Sequence, residues 1–167
     1  MRYAAYGSNL HPLRLQERTP SARLLGTEAL AGFAIRFVKR GRDGSGKCTL
    51  VESTASSVHV AVYEIEDAEK PRLDALEGLG RGYSLATLEL PRLGRCLTYL
   101  GQPEHLDPTL APYSWYKELV LVGCEVHRFP EAYVREIAVI ESVVDPDPER
   151  HELHMALVRR ARRPARR

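Results

Sequence analysis

Val58-His59-Val60-Ala61-Val62-Tyr63-Glu64-Ile65 is the stretch on which the fold turns. Its residues are mostly β-branched or aromatic, and its apolarity is nearly continuous instead of alternating. That is the pattern of a central strand covered on both faces. Candidate strands lie on both sides of it in sequence. Residues 2–6 read as a short buried strand, and Ala22–Val38, rich in Ala, Leu, Ile and Phe, holds one or two more. Residues 83–91 and 95–101 are separated by Pro91 to Gly94, which predicts a hairpin. A loop is expected from Arg40 to Lys47.

Helices are expected around this sheet. Ser8 or Asn9 can cap a helix over 10–18, which Thr19-Pro20 ends. Asp67 caps a second over 68–77, with Leu73 and Leu76 turned to the core and the glycines from Gly78 to Gly82 closing it. After a proline-marked loop at 102–113, three helices are predicted over 114–126, 130–142 and 147–160. Strands of similar length at short spacing, with few helices between them, favour an α+β fold over a doubly wound sheet. The expected architecture is a small mixed β-barrel or curved sheet flanked by helices, with a helical C-terminal third. Residues 1–158 read as a single domain and 159–167 as a basic, flexible tail.

Composition narrows the function classes. Hydrophobic residues at 44% and charged residues at 28% exclude a disordered or disulfide-scaffold class. No run of about 18 apolar residues is present and the start lacks a basic-then-apolar leader, so a cytoplasmic protein with no membrane partner is expected. Three widely spaced cysteines, Cys48, Cys96 and Cys124, suit reduced thiols. The total charge is +2, but six arginines crowd the last nine residues and leave the body at −4. A solvated terminus outweighs a nucleic-acid contact as the reading of that tail.

Several motifs compete for the chemistry. Gly41-Arg42-Asp43-Gly44-Ser45-Gly46-Lys47-Cys48 has the glycine and lysine spacing of a phosphate-binding loop. Cys48 replaces the hydroxyl needed for magnesium, poor helix formers follow, and βαβ units are missing, so a plain hairpin loop is expected. His151 and His154 lack metal-site spacing and a third ligand, and fit a solvated helix face. His11, His59, His105 and His127 are scattered, and Cys48 is a weak candidate nucleophile. Two features stand out. Tyr6-Gly7-Ser8-Asn9-Leu10 breaks a strand into a turn, where backbone N–H groups without intrahelical partners can bind an anion or oxyanion. Glu77 closes a helix at the end where the dipole disfavours a negative charge, so a carboxylate there is locally costly.

Tyr6-Gly7-Ser8-Asn9-Leu10, with Leu73 to Glu77-Gly78 and Tyr83, resembles the γ-glutamylcyclotransferase-like family over roughly residues 2–140. The resemblance implies a small mixed barrel with helices around it. It also implies cleavage of γ-glutamyl compounds without water, metal or organic cofactor: intramolecular aminolysis that releases 5-oxoproline and a free amine or amino acid. Carried over by motif, Tyr6, Gly7, Ser8, Asn9 and Leu10 hold the γ-glutamyl portion and Glu77 is the general acid/base. Tyr83 and Tyr116 fall near pocket-wall positions, and Lys47 or Cys48 borders the cavity. The partner implied is a small-molecule γ-glutamyl substrate. The leaving amine, the oligomeric state, the tail's role and whether the Gly41–Lys47 loop touches substrate stay open. A second class also fits these residues, a non-catalytic metabolite-binding module whose basic tail contacts a polyanion. The presence of Glu77 at the matching position favours the enzyme.

Overall fold

The computed structural model describes residues 1–163. Five strands form one mixed sheet: β1 (Arg2–Ala5), β2 (Arg23–Arg40), β3 (Gly46–Glu64), β4 (Tyr83–Leu90) and β5 (Gly94–Gly101). Their order is β2-β3-β1-β5-β4. The fold-deciding stretch is the inner half of β3, where Val58, Val60, Ala61, Val62 and Tyr63 are fully buried. β3 pairs antiparallel with β1, Ala4 opposite Val62, and with β2, Thr27 opposite Ala61. β1 runs parallel to β5, which closes the predicted hairpin with β4.

One feature differs from the sequence expectation, and one of its alternatives is decided. β3 begins twelve residues before Val58, because residues 46–52 pair with the outer part of β2 (Leu50 opposite Ile35), while residues 53–56 have no partner in this β2–β3 ribbon. The register slips three times along that ribbon, once at Gly32, whose φ of +86° is a bulge conformation that glycine adopts without strain. The sheet is curved but does not close into a barrel. Its outer strands approach only through side chains: the Glu28 carboxylate on β2 accepts from the N–H groups of Arg92 (2.9 Å) and Leu93 (3.1 Å) in the β4–β5 turn. No ladder joins β2 to β4, so the curved-sheet alternative is the one adopted.

The helices are α1 (Pro12–Arg18), α2 (Lys70–Glu77), α3 (Ser114–Val126), α4 (Glu131–Ala138) and α5 (Pro148–Ala161). α3 carries the largest buried helical face, including Leu119, Val120, Val122 and Cys124, and lies against the turn after β1, α4 and α5. Leu73 of α2 is fully buried as expected, whereas Leu76 is 48% exposed; the helix is short and turns one face only to the core. The first arginines of the basic run lie on α5 and its end: Arg160 pairs with Glu17 at 2.8 Å, and Arg162 with Glu118. Residues 164–167 of the tail lie outside the described residues. None of the described helices is long and apolar enough to cross a membrane.

A polar knot fixes α5. The buried Asp145 carboxylate accepts from Trp115 Nε1 (2.8 Å) and from Arg150 Nε (2.7 Å) and Nη2 (2.6 Å). The Arg150 hydrogen bonds, against the opposing effect of desolvation, hold this carboxyl well below its ordinary 3.8. A depressed carboxyl stabilises the fold above its unfolded value and loses that contribution as pH falls towards the folded one. Asp145→Asn is therefore expected to lower Tm at pH 7, with the gap to the parent narrowing as both are melted at pH 4 and below. A gap that stayed constant with pH would show that the charge is not what matters.

Candidate active site

The turn after β1 is tighter than a helix start. Gly7 breaks the strand, Ser8–Leu10 form one 3₁₀ turn with Leu10 N–H donating to Gly7 O at 2.9 Å, and α1 begins only at Pro12. The cap of α1 is His11, whose ring Nδ1 accepts from Leu13 N–H at 3.2 Å, not Ser8 or Asn9. Proline at the first helical position needs no acceptor, so the chain delays the helix to that point. The consequence is that the side chains of Ser8 and Asn9 are not spent on capping. The first N–H groups of the 3₁₀ turn have no acceptor within it. Gly7 lets this turn press on β3, since a Cβ there would stand 3.2 Å from Cys48 Cβ and 3.5 Å from Tyr116 Oη.

Glu77 is the last residue of α2, and Gly78 follows in the left-handed conformation (φ +77°), turning the chain sharply away. The carboxylate at this costly helix end has partners: Arg18 Nη1 donates to Glu77 Oε1 at 2.8 Å, and Asn9 Nδ2 donates to the same oxygen at 2.8 Å. A guanidinium offsets the cost that the helix end imposes. Oε2 receives no protein donor among the described residues. The carboxylate also fixes the orientation of Asn9, whose Nδ2 must face it, so Asn9 Oδ1 is left buried and without a donor.

Tyrosines complete the chamber. Tyr3, Tyr6, Tyr83, Tyr99 and Tyr116 surround the space between the Gly7–Asn9 turn, Cys48 and Glu77. Tyr83 Oη donates to Cys48 O at 2.6 Å, Cys48 N–H donates to Tyr116 Oη at 3.2 Å, and Tyr6 Oη donates to Tyr99 O. Burial pushes the hydroxyls of Tyr6, Tyr83 and Tyr116 well above their ordinary value, so they remain neutral. Burial likewise raises the Cys48 thiol, which makes it a wall and a backbone anchor instead of a nucleophile.

Of the eight site residues singled out in sequence, the structure brings Tyr6, Gly7, Ser8, Asn9, Glu77, Tyr83 and Tyr116 around one chamber. Leu10 is not among them. Its side chain is fully buried in the core and its carbonyl is taken by Tyr63 Oη (2.5 Å) and His127 Nε2 (2.7 Å). Sequence reasoning missed Tyr3, Tyr99 and Arg18. Tyr3 and Tyr99 sit on paired strands, where a tyrosine reads as core, and Arg18 reads as an ordinary last-turn cation.

The glycine-rich loop joins β2 to β3 as a hairpin and no helix follows it. Lys47 Nζ is held by Asp43 Oδ2 (2.7 Å) and Ser45 Oγ (2.8 Å), as the hairpin reading requires. The loop instead borders the outer mouth of the chamber. His154 stacks on the Trp115 ring at 3.9 Å, and burial, reinforced by the nearby Arg14 and Lys47, lowers it to about 4.

A sequence model of the family described as gamma-glutamyl cyclotransferase, AIG2-like, matches residues 3–118. The gamma-glutamylcyclotransferase of Homo sapiens is 27% identical over 150 residues, covering 83% of this chain and 78% of the relative, and that of Mus musculus is 28% identical over 149. A solved structure titled "Gamma-glutamyl cyclotransferase" superposes with a TM-score of 0.84 at 23% identity, over 96% of this chain and 98% of that one. The match spans β1 to the start of α3, and so includes the opening turn, Glu77 and the tyrosines around them: the chain belongs to the gamma-glutamyl cyclotransferase, AIG2-like family.

Proposed function

We propose that the protein is a γ-glutamyl cyclotransferase that releases 5-oxoproline and a free amine from a small γ-glutamyl compound, with Glu77 as general acid/base. One observation carries the reading: the hydrogen bond between Asn9 and Glu77 joins residues 68 apart in sequence across one tyrosine-walled chamber. A base and an oxyanion-binding turn are both needed, and they must face the same carbonyl.

The substrate's α-ammonium gives a proton to Glu77 at Oε2, the oxygen without a protein donor. Asn9 Oδ1, buried and unpaired, is a matching acceptor for the same ammonium. The freed amine attacks the γ-carbonyl carbon, forming the ring C–N bond, and the carbonyl electron pair moves to oxygen, where the N–H groups of Gly7 and Ser8 receive it. The ring nitrogen loses a second proton as the bond to the leaving nitrogen breaks. Glu77 relays both protons, so the leaving nitrogen departs as an ammonium and no water is consumed. Both reacting groups belong to one molecule, and the chamber's task is to hold them in the closing geometry. Neutral tyrosines suit this, since they donate or accept without introducing charge.

Incubation with γ-glutamyl amino acids and γ-glutamyl amines is expected to yield 5-oxoproline and the amine in equal amounts. Release of free glutamate would mean hydrolysis, and release of nothing would leave a binding module; either overturns the proposal.

A further inference from the structure

The chamber opens outward into a second cavity that shares Ser8, Glu77, Tyr83 and Tyr116 with it. The leaving half of a substrate whose γ-carbonyl lies between Gly7 and Glu77 must project there. This outer cavity presents six cationic side chains against two carboxylates, those of Asp43 and Glu77. Arg18 is committed to Glu77 and Lys47 to Asp43. The other four, Arg14, Lys39, Arg42 and Arg81, have no ion-pair partner among the described residues.

Two of these four are buried. Arg14 on α1 is 7% exposed, its guanidinium donates no hydrogen bond among the described residues, and its Nε is enclosed without a partner. Lys39 on β2 is 5% exposed and rests its ammonium on the Tyr83 ring, 4.3 Å from the centroid. An arginine can offer five N–H donors, and burying them unmade is costly, so such a residue persists where an occupant supplies the acceptors. Desolvation pulls Arg14 down to about 9 and lowers Lys39 as well, in each case against the weaker pull of Glu77 in the opposite direction. Arg14 still carries its charge at neutral pH.

We infer that the amine released by this protein carries two negative charges, as an amino dicarboxylic acid or an aminoalkyl phosphate does, and that Arg14 and Lys39 are its specificity-determining residues. This rests on the cyclotransferase reading. Arg42 and Arg81 are exposed and meet water, so the unmet demand in this cavity is that of the two buried cations, Arg14 and Lys39. A leaving amine with one carboxylate offers one negative charge to these two cations, and a cationic amine such as a diamine is repelled by both.

Turnover of γ-glutamyl-aspartate and of γ-glutamyl-aminoethyl phosphate, compared with γ-glutamyl-alanine and γ-glutamyl-putrescine, tests this in the intact protein. At least one of the two dianionic substrates is expected to exceed γ-glutamyl-alanine about 10-fold in kcat/KM and γ-glutamyl-putrescine about 100-fold, with the advantage shrinking in high salt. The two arms separate a carboxylate site from a phosphate site. Lys39→Gln and Arg14→Gln are each expected to collapse the aspartate-to-alanine ratio towards one; Lys39 serves if the Arg14 variant does not fold. Equal rates across the panel, a preference for putrescine, or a ratio unmoved in a folded variant would overturn the inference. If no compound gives 5-oxoproline, the cyclotransferase reading fails on its own. Binding then decides the cavity: a rise in Tm with aspartate or aminoethyl phosphate but not putrescine supports the anion site, and the reverse removes it.

Discussion

Glu77→Gln is expected to lower kcat/KM for the best γ-glutamyl substrate about 1,000-fold while leaving the protein folded. The amide is nearly isosteric, so Oε1 still accepts from Arg18 and Asn9, whose hydrogen bonds at 2.8 Å define the position of the side chain. What disappears is the proposed proton acceptor at Oε2. The ion pair with Arg18 is partly solvated, with the two side chains 23% and 17% exposed, so its loss costs about 1 kcal/mol or less and a small change in Tm. Activity and stability therefore separate. Turnover close to that of the parent, in a variant whose circular dichroism and Tm match it, would assign Glu77 a structural role and remove the proposed chemistry. Glu77→Asp gives a graded check, since shortening by one methylene withdraws the carboxylate from the turn and is expected to cost about 10- to 100-fold.

The parts of the site that sequence made legible are those with strong local signals. A strand breaking into Gly7-Ser8-Asn9, and a helix ending at Glu77 before Gly78, are both marked by the backbone demands of the residues that follow. The remainder depends on where distant elements land. Arg14 and Arg18 sit on a seven-residue helix whose polar residues read as a solvated face, and only packing against α2, α5 and the Ser8–Leu10 turn places them inwards. Residues 46–57 extend β3 without an alternating hydrophobic pattern, because residues 53–56 have no partner on β2 and the ladder resumes only at Glu52, opposite Phe33. Barrel closure was equally hidden. It depends on whether β2 and β4 meet with backbone or, as found, through the Glu28 side chain. Leu10 shows the converse error, a residue inside the diagnostic motif whose job is to anchor the turn to the core.

Gly123→Ala is expected to destabilise the protein by about 2 kcal/mol, lowering Tm by about 4–8 °C, and to reduce activity along with it. The sign is the informative part. Gly123 lies within α3, where replacing glycine by alanine ordinarily stabilises a helix by about 1 kcal/mol. Here the added Cβ would stand 2.4 Å from Leu10 Cβ and 3.2 Å from the His11 backbone N, neither of which is the free end of a flexible side chain. α3 or the Ser8–Leu10 turn has to move by about an ångström, and the interior is too closely packed to absorb that without strain. The Leu10 carbonyl is also tied to Tyr63 and His127, so the turn cannot retreat without breaking those hydrogen bonds. Because Asn9 is the adjacent residue and carries the contact to Glu77, a shift of the turn displaces the proposed oxyanion-binding groups from the proposed base. Thermal melts and kcat/KM measured on the same preparation check both halves. A rise in Tm would show that α3 is free to slide at this point, and unchanged activity with a lowered Tm would show that the turn keeps its geometry independently of α3.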